Sequence, residues 1–172
     1  NAGGIYRSTN NGINWVMVNF GANGVRKLLI KPNGYIYAAF PPYVRISTDN
    51  GDTWSQINYS GMTGGNDMSL DSSGNLLVCN SYGIFKTSND GTNWVQVCNI
   101  PSLLSIAVNG NGTLFTGNSY GAIYKSNDNG ANWSMAHNQE VIGSGASVID
   151  ILIKPDGKVF AGYQYLGIFR PL

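Results

Sequence analysis

Carboxylates are the side chains of this sequence that could perform acid–base chemistry. The 172-residue chain has a single glutamate, Glu140, and eight aspartates. Glycoside hydrolysis commonly uses two carboxyl groups about 5–9 Å apart, which flank the bond that is cleaved. Asp67, Asp150 and Glu140 are the acids that turns and repeated motifs leave unexplained, so they are the candidates for such a pair. A solvated loop position is the simpler explanation of each, and we predict no catalytic residue.

The sequence lacks the residues that other kinds of catalysis and cofactor binding require. His137 is the only histidine, which excludes zinc sites made of several histidines. Asp49-Asn50-Gly51-Asp52 offers oxygen ligands that suit calcium, but it lacks the length and the terminal glutamate of an EF-hand loop. No glycine-rich phosphate-binding motif is present. The sequence therefore predicts neither a metal site nor a cofactor.

Charge and composition narrow the class of partner. Only 11% of the residues are Asp, Glu, Lys or Arg, and the formal net charge is +1. Without a basic field or a long apolar run, we expect neither a nucleic-acid partner nor membrane insertion. Much Asn, Gly, Ser and Tyr with little Lys and Glu is typical of exported bacterial surface proteins, so we expect a secreted or cell-surface location. Because the chain begins with Asn1, we also expect processing or excision from a longer chain.

A repeated octapeptide organises the chain. Its four copies end in tryptophans that are 39, 40 and 39 residues apart, and each copy follows the pattern Ser/Thr-x-Asp/Asn-x-Gly-x-Thr/Asn-Trp. A fixed period of this length indicates a repeat architecture. The defining residues of the four copies are Ser8, Asn10, Gly12 and Trp15; Ser47, Asp49, Gly51 and Trp54; Thr87, Asn89, Gly91 and Trp94; and Ser126, Asp128, Gly130 and Trp133.

This octapeptide resembles the Asp-box, or BNR, repeat of sialidases and other secreted β-propellers. The resemblance implies that each box is the turn between the third and fourth strands of a propeller blade. The Asp or Asn would accept backbone N–H groups, the glycine would adopt a positive φ, and the tryptophan would be buried over the sheet. We therefore expect the box residues to have a structural role.

The segments between the boxes supply the other strands. A short strand precedes each box and a hairpin with a turn glycine follows it, which gives four strands for about 40 residues. Labelled outwards from the propeller axis, the hairpin is A and B, the strand before the box is C, and the strand after it is D. We predict an all-β propeller of four-stranded antiparallel blades, as a single domain or propeller segment over 1–172. Its repeats span about 4–40, 43–80, 83–118 and 122–163, with a partial fifth at 167–172.

The number of blades stays open at this point. The pattern predicts seventeen strands, one more than a closed four-bladed ring needs, because the strands at Gly4 and Gly167 compete for one place. The propellers of the resembling family usually have six or more blades. Both a closed four-bladed ring and a segment of a larger propeller, with further blades outside this chain, fit the pattern.

The resemblance to sialidases also implies a catalytic apparatus that can be sought in the sequence. A sialidase uses three clustered arginines, a tyrosine nucleophile activated by a glutamate, and an aspartate acid/base. Arg7, Arg45 and Arg170 are assigned to one repeated strand position, which Lys86 and Lys125 also occupy, and Arg26 stands alone. We therefore do not expect a sialidase site in this chain.

We expect ligand binding on the blade face opposite the boxes, where the B–C and D–A loops lie. The B–C loops carry one tyrosine each, and the longest D–A loop follows His137 and contains Glu140. Aromatic rings stack on sugars and anchor protein partners, although packing between blades would also explain a repeated tyrosine. The hypothesis is an exported, non-catalytic propeller that binds a glycan or a protein. The alternatives are a fragment of a sialidase-like glycoside hydrolase and a scaffold that resembles propeller assembly factors. The candidate ligand-binding residues are Tyr43, Tyr82, Tyr120, Tyr165, His137 and Glu140.

The two cysteines are not predicted to form a disulfide. Cys79 and Cys98 fall on the second and fourth strands of one predicted blade. Strand spacing would place them roughly 9–10 Å apart, beyond the reach of a disulfide. We expect packed thiols.

Overall fold

The structure is a computed structural model that describes residues 3–20, 24–57, 61–137, 146–164 and 167–169, without the side chains of Phe20 and of 167–169. All regular secondary structure in these residues is β, in seventeen strands. The chain divides into two compact units, Asn1–Gly65 and Asn66–Leu172. The predicted all-β class is thus confirmed.

The first unit contains a two-stranded and a four-stranded antiparallel sheet. Strands β1 and β2 pair with each other, and β3 to β6 form the larger sheet in chain order. Ile5 of β1 packs with Ala38 and Phe40 of β4 in a small core. The strands of this unit are β1 (Gly4–Arg7), β2 (Val16–Phe20), β3 (Lys27–Ile30), β4 (Ile36–Phe40), β5 (Tyr43–Ser47) and β6 (Ser55–Gln56).

The second unit contains two four-stranded sheets and one three-stranded sheet, each an antiparallel meander in chain order. This is the A-B-C-D order that the repeats predict. The sheets comprise β7 to β10, β11 to β14, and β15 to β17. The strands are β7 (Asp67–Leu70), β8 (Leu76–Asn80), β9 (Gly83–Thr87), β10 (Val95–Cys98), β11 (Leu103–Val108), β12 (Leu114–Asn118), β13 (Ile123–Ser126), β14 (Ser134–His137), β15 (Val148–Ile153), β16 (Val159–Tyr163) and β17 (Gly167–Phe169).

Apolar side chains join neighbouring sheets of the second unit. Leu77 and Ile84 of one sheet share a core cluster with Leu103 and Ile106 of the next. Cys79 and Cys98 lie in the same cluster as buried thiols and not in a disulfide, as the sequence predicts. Burial raises the pKa of the Cys98 thiol, since the thiolate loses hydration there.

The box tryptophans differ from the prediction that they are buried. Trp15 is 61% exposed, and Trp54, Trp94 and Trp133 are half-buried. The indole Nε1 of Trp15 donates to the carbonyl of Gly12 in its own box at 3.0 Å, and Trp54 and Trp133 make the equivalent bond. This bond holds each ring against its own turn, so part of the ring stays in solvent.

A β-bulge on the D strand forms a seat for the next box. The register jumps at Val18 of β2 and at Val97 of β10, each three residues after a box tryptophan. A Cβ added to Gly130, whose φ is +95°, would lie 3.1 Å from the Cβ of Val97. The carbonyl of Val97 also accepts from Trp133 Nε1 at 2.9 Å. In the second unit, a box glycine therefore permits both a left-handed backbone and close contact with the preceding sheet.

Replacement of Trp133 by Ala is expected to lower the free energy of unfolding by about 2–4 kcal/mol, somewhat less than the roughly 3–5 kcal/mol for a fully buried aromatic residue. The loss includes the contact with the preceding D strand and the hydrogen bond to Val97. Replacement of Trp15, which is 61% exposed, should cost under about 1 kcal/mol. Urea unfolding of the two variants measures the difference, and equal losses would show that the seat on Val97 contributes nothing.

Candidate functional site

Each box is a turn whose polar groups bond to one another. The first hydroxyl accepts the N–H of the box glycine, from Ser8 and Gly12 at 2.8 Å to Ser126 and Gly130 at 2.9 Å. The Asp or Asn Oδ1 accepts the N–H four residues later in every box, at 2.8–2.9 Å. The residue before each glycine adopts a positive φ of 55–60°. These bonds occupy the side-chain oxygens of the box, which leaves few for a ligand.

In the two boxes that contain aspartate, hydrogen bonds stabilise the charged carboxylate form of that side chain. The hydroxyl of Thr53 donates to Asp49 Oδ2 at 2.5 Å, and the Thr53 N–H donates to Oδ1 at 2.9 Å. These bonds lower the pKa of Asp49 to about 2. At Asp128 the backbone N–H of Asn132, followed by its side-chain amide, lowers the pKa to about 2. Hydrogen bonds to the charged form are the physical cause in both.

The candidate acidic pair is not assembled by the described residues. Asp67 is buried, and its carboxylate accepts the N–H of Met68 at 2.8 Å and that of Ile106 in the next sheet at 3.0 Å. Its role is therefore to join β7 to β11. Asp150 is exposed on β15, and Glu140 lies outside the described residues.

Arg7 and Arg45 have different partners. Arg7 donates to the carbonyl of Asn50 at 2.7 Å and pairs with Asp52 at 2.8 Å. Arg45 lies over the rings of Phe40 and Tyr43, at 5.4 and 5.5 Å from the centroids. Arg170 lies outside the described residues.

Arg45 also differs from its predicted place in the repeat. It pairs with Ala38, and the equivalent pairs in later blades are Phe85 with Val78 and Tyr124 with Thr116. The shared position with Lys86 is therefore wrong for Arg45. In the second repeat, one residue separates the basic residue from the first residue of the box, whereas the two are adjacent in the other repeats.

The candidate tyrosines fall into two groups. Tyr43 is the first residue of β5 and packs edge-on against Phe40, with centroids 5.8 Å apart. Tyr82 and Tyr120 lie in B–C turns and are 58% and 70% exposed. Tyr165 is outside the described residues.

The last described candidate is His137. It ends β14 as an exposed residue and pairs with Ile123 of β13. No described contact joins it to the tyrosines.

A line of serine contacts joins the B–C and D–A loops of the second unit. Ser102 donates its N–H to the carbonyl of Ser81 at 2.9 Å, and its own carbonyl accepts the N–H of Ser119 at 2.9 Å. The carbonyl of Ser119 accepts the hydroxyl of Ser147 at 3.2 Å. Gln164 then donates its N–H to the carbonyl of Ser147 at 2.9 Å. We call these five residues, with Tyr82 and Tyr120, the serine strip.

The serine strip fixes the two exposed tyrosines to one platform. Tyr82 follows Ser81 and Tyr120 follows Ser119, and Oδ1 of the preceding Asn80 or Asn118 accepts each tyrosine N–H at 2.8 and 3.0 Å. Two hydrogen-bonded steps separate the turns, so their backbones lie within roughly 10 Å of each other. The geometry thus presents two aromatic rings on an ordered backbone.

The spacing of the tyrosines alone does not predict the serine strip. The signal that could have found it is the tetrapeptide Asn-Ser-Tyr-Gly, which occurs at 80–83 and again at 118–121. Its asparagine closes the turn and its serine makes the contact between loops. Ser102 has a positive φ of 59° and is not predicted by any repeat.

The described residues contain neither a metal-binding cluster nor a membrane-spanning helix. No group of three or more His, Cys, Asp or Glu side chains in this part of the chain could hold a metal ion. The described ranges also contain no helix with the length and apolarity needed to cross a membrane.

Comparison with known proteins identifies the repeat and the fold. The family model of the BNR/Asp-box repeat matches residues 45–56, which include the whole of the second box. Together with structural neighbours that are β-propellers, this match supports a BNR-repeat propeller. No curated protein matches the sequence significantly.

Three solved structures illustrate the likeness. An extracellular domain of a two component system of B. thetaiotaomicron has 14% identity and a TM-score of 0.77, over 97% of this chain and 24% of that one. An ancestral GH74 enzyme has 20% identity and a TM-score of 0.74, over 93% and 24%. YCF48 bound to D1 peptide has 20% identity and a TM-score of 0.75, over 100% and 59%. The chain thus spans about a quarter of the length of the first two, and the likeness concerns the fold alone.

Acid should destabilise the boxes that contain aspartate. The ordinary pKa of Asp49 and Asp128 is 3.8 and the folded value is about 2. The native state therefore binds fewer protons than the unfolded state in this window, and stability that is present above about pH 4 is lost as the pH falls towards 2. Replacing both residues by Asn, the residue of the first and third boxes, should reduce the loss.

Urea unfolding at pH 6 and at pH 2.5 measures this effect. Asp71 supplies a further acid-sensitive group: burial acts to raise its pKa, but hydrogen bonds from Lys86 and Asn75 together outweigh burial and lower the pKa. The double variant should therefore keep part of the loss. A loss as large as that of the parent protein would contradict the assignment to the boxes.

Proposed function

We propose that this chain is an exported, non-catalytic propeller that binds a glycan through the serine strip. The observation that carries the proposal is the pair of exposed rings, Tyr82 and Tyr120, held on one hydrogen-bonded backbone. Soluble proteins bury or scatter most large apolar side chains, so two rings on an ordered platform favour a binding role.

The chemistry around the rings favours a sugar. Aromatic faces stack on the apolar faces of sugar rings, and amide and hydroxyl groups bond to their hydroxyls. The described loop residues that form and flank the strip are 80–82, 99–102, 118–122, 146–147 and 164, and none of these described residues is charged. A glycan without acidic groups fits such a surface better than a sialoside, whose carboxylate calls for cationic partners.

The ordered backbone of the strip also favours high affinity. A rigid platform loses little conformational entropy on binding, and a tyrosine has two side-chain torsions to fix. The box turns on the same blades already use their side-chain oxygens internally. The proposal of export is supported by composition and by the fold shared with an extracellular domain.

The test is a glycan array that includes neutral and sialylated oligosaccharides, followed by calorimetric titration of each neutral glycan that binds. Tyr82→Ala and Tyr120→Ala should each weaken binding by about 1–3 kcal/mol, the scale of an aromatic anchor. Tyr82→Phe and Tyr120→Phe should retain most of the affinity, because the ring is kept.

Tyr6→Ala is the matched control. Tyr6 is a tyrosine of similar exposure, 50%, on β1 and outside the strip, so its loss should not change affinity. Binding that survives the loss of both strip tyrosines, or an array that shows only sialylated glycans, would overturn the proposal.

A further inference from the structure

A groove of about 580 Å³ lies in the second unit between β10 and the β13–β14 hairpin. Its volume falls within the range of about 300–1,000 Å³ for small-ligand sites. The side chains that give it chemical character are Gln96, Asn99, Ile100, Tyr124, Trp133 and Met135.

The aromatic wall of the groove is held in place by the box. Trp133 Nε1 donates to the carbonyls of Val97 and Gly130, at 2.9 and 3.2 Å, and the ring packs partly against the core. Tyr124 of β13 pairs with Met135 of β14, and Tyr124 is half-buried. The groove therefore has the hydrogen-bonded ring of Trp133 and the half-buried Tyr124 in its wall before any ligand arrives.

One end of the groove is linked to the serine strip. Gln96 lines the groove, and its Nε2 donates to the carbonyl of Tyr82 at 2.8 Å and to that of Cys98 at 3.1 Å. Gln96 thus belongs to the wall of the groove and also bonds to the turn that presents Tyr82. A ligand on Tyr82 could continue past Gln96 into the groove.

The lining chemistry selects the class of ligand. Among the described residues, the groove is lined by aromatic, aliphatic, thioether, thiol and amide groups, and none of these lining side chains is a carboxylate, ammonium or guanidinium. Burial holds the Cys98 thiol in its neutral form by raising its pKa. An anionic or cationic ligand would lose its hydration here without a compensating charge. A neutral, polyhydroxylated chain would meet rings for stacking and amides for hydrogen bonds.

We propose that this groove is a second glycan subsite, which binds the continuation of a neutral oligosaccharide whose other end stacks on Tyr82. The inference rests on the proposed function, since the strip supplies the first subsite. It adds a requirement for ligand length, because a disaccharide can fill one subsite and a longer chain can fill both.

The test compares disaccharides with hexasaccharides of the same neutral series: cellobiose with cellohexaose, maltose with maltohexaose, and mannobiose with mannohexaose. Calorimetry gives the affinities, and tryptophan fluorescence reports on Trp133. In the series that binds, Tyr124→Ala should weaken the hexasaccharide about tenfold and leave the disaccharide unchanged. Tyr124→Phe keeps the ring and should preserve both affinities, which controls for a folding defect.

The outcomes separate the two proposals. If Tyr82→Ala weakens the hexasaccharide and Tyr124→Ala does not, the groove is not a subsite and the strip stands. If neither substitution changes either affinity, or if none of the six sugars binds, both proposals are wrong. If the hexasaccharide binds no more tightly than the disaccharide, the groove proposal alone is overturned.

Discussion

The hydrogen bond between the glycine N–H of each box and the hydroxyl that begins the box is the interaction on which the blades depend. It spans four residues at 2.8–2.9 Å in all four boxes. It fixes the corner that reverses strand C into strand D, and the left-handed residue before the glycine completes that corner. In the second unit the same corner places Trp133 and Gly130 against Val97 of the preceding sheet. One local bond thus sets both the turn and the contact between sheets.

With this arrangement, the two ends of a blade have different roles. At the box end, side-chain oxygens bond within the turn and acidic groups are stabilised as carboxylates. At the opposite end, backbone groups of the loops bond to each other, which leaves the rings of Tyr82 and Tyr120 exposed. The proposed glycan binding depends on this difference. One face is held in order by internal bonds, and the other face presents aromatic surface. The groove beside Trp133 extends this surface along the edge of the blade.

The sequence predicts the strands and their order well, because the period of the tryptophans locates each turn independently. Strands β1 and β17 begin at Gly4 and Gly167, where the pattern predicts strands. The site is predicted less well, because its contacts depend on geometry that no periodic pattern encodes. The sequence makes Asp67 a candidate acid, yet its carboxylate accepts the N–H of Ile106, 39 residues away. The exposure of Trp15 and the link through Ser102 likewise follow from packing and loop conformation.

The central claim is that a ligand meets the loop face through the serine strip, while the hydrogen-bonded turns of the boxes serve the fold. Backbone amide chemical shifts, recorded by NMR on the ¹⁵N-labelled protein as a neutral disaccharide that binds is added, test it most directly. The account predicts that the largest changes occur at the amides of Ser81, Ser102 and Ser119, with little change at Gly51 and Gly130. Changes concentrated on the box glycines, with the three serines unaffected, would contradict it.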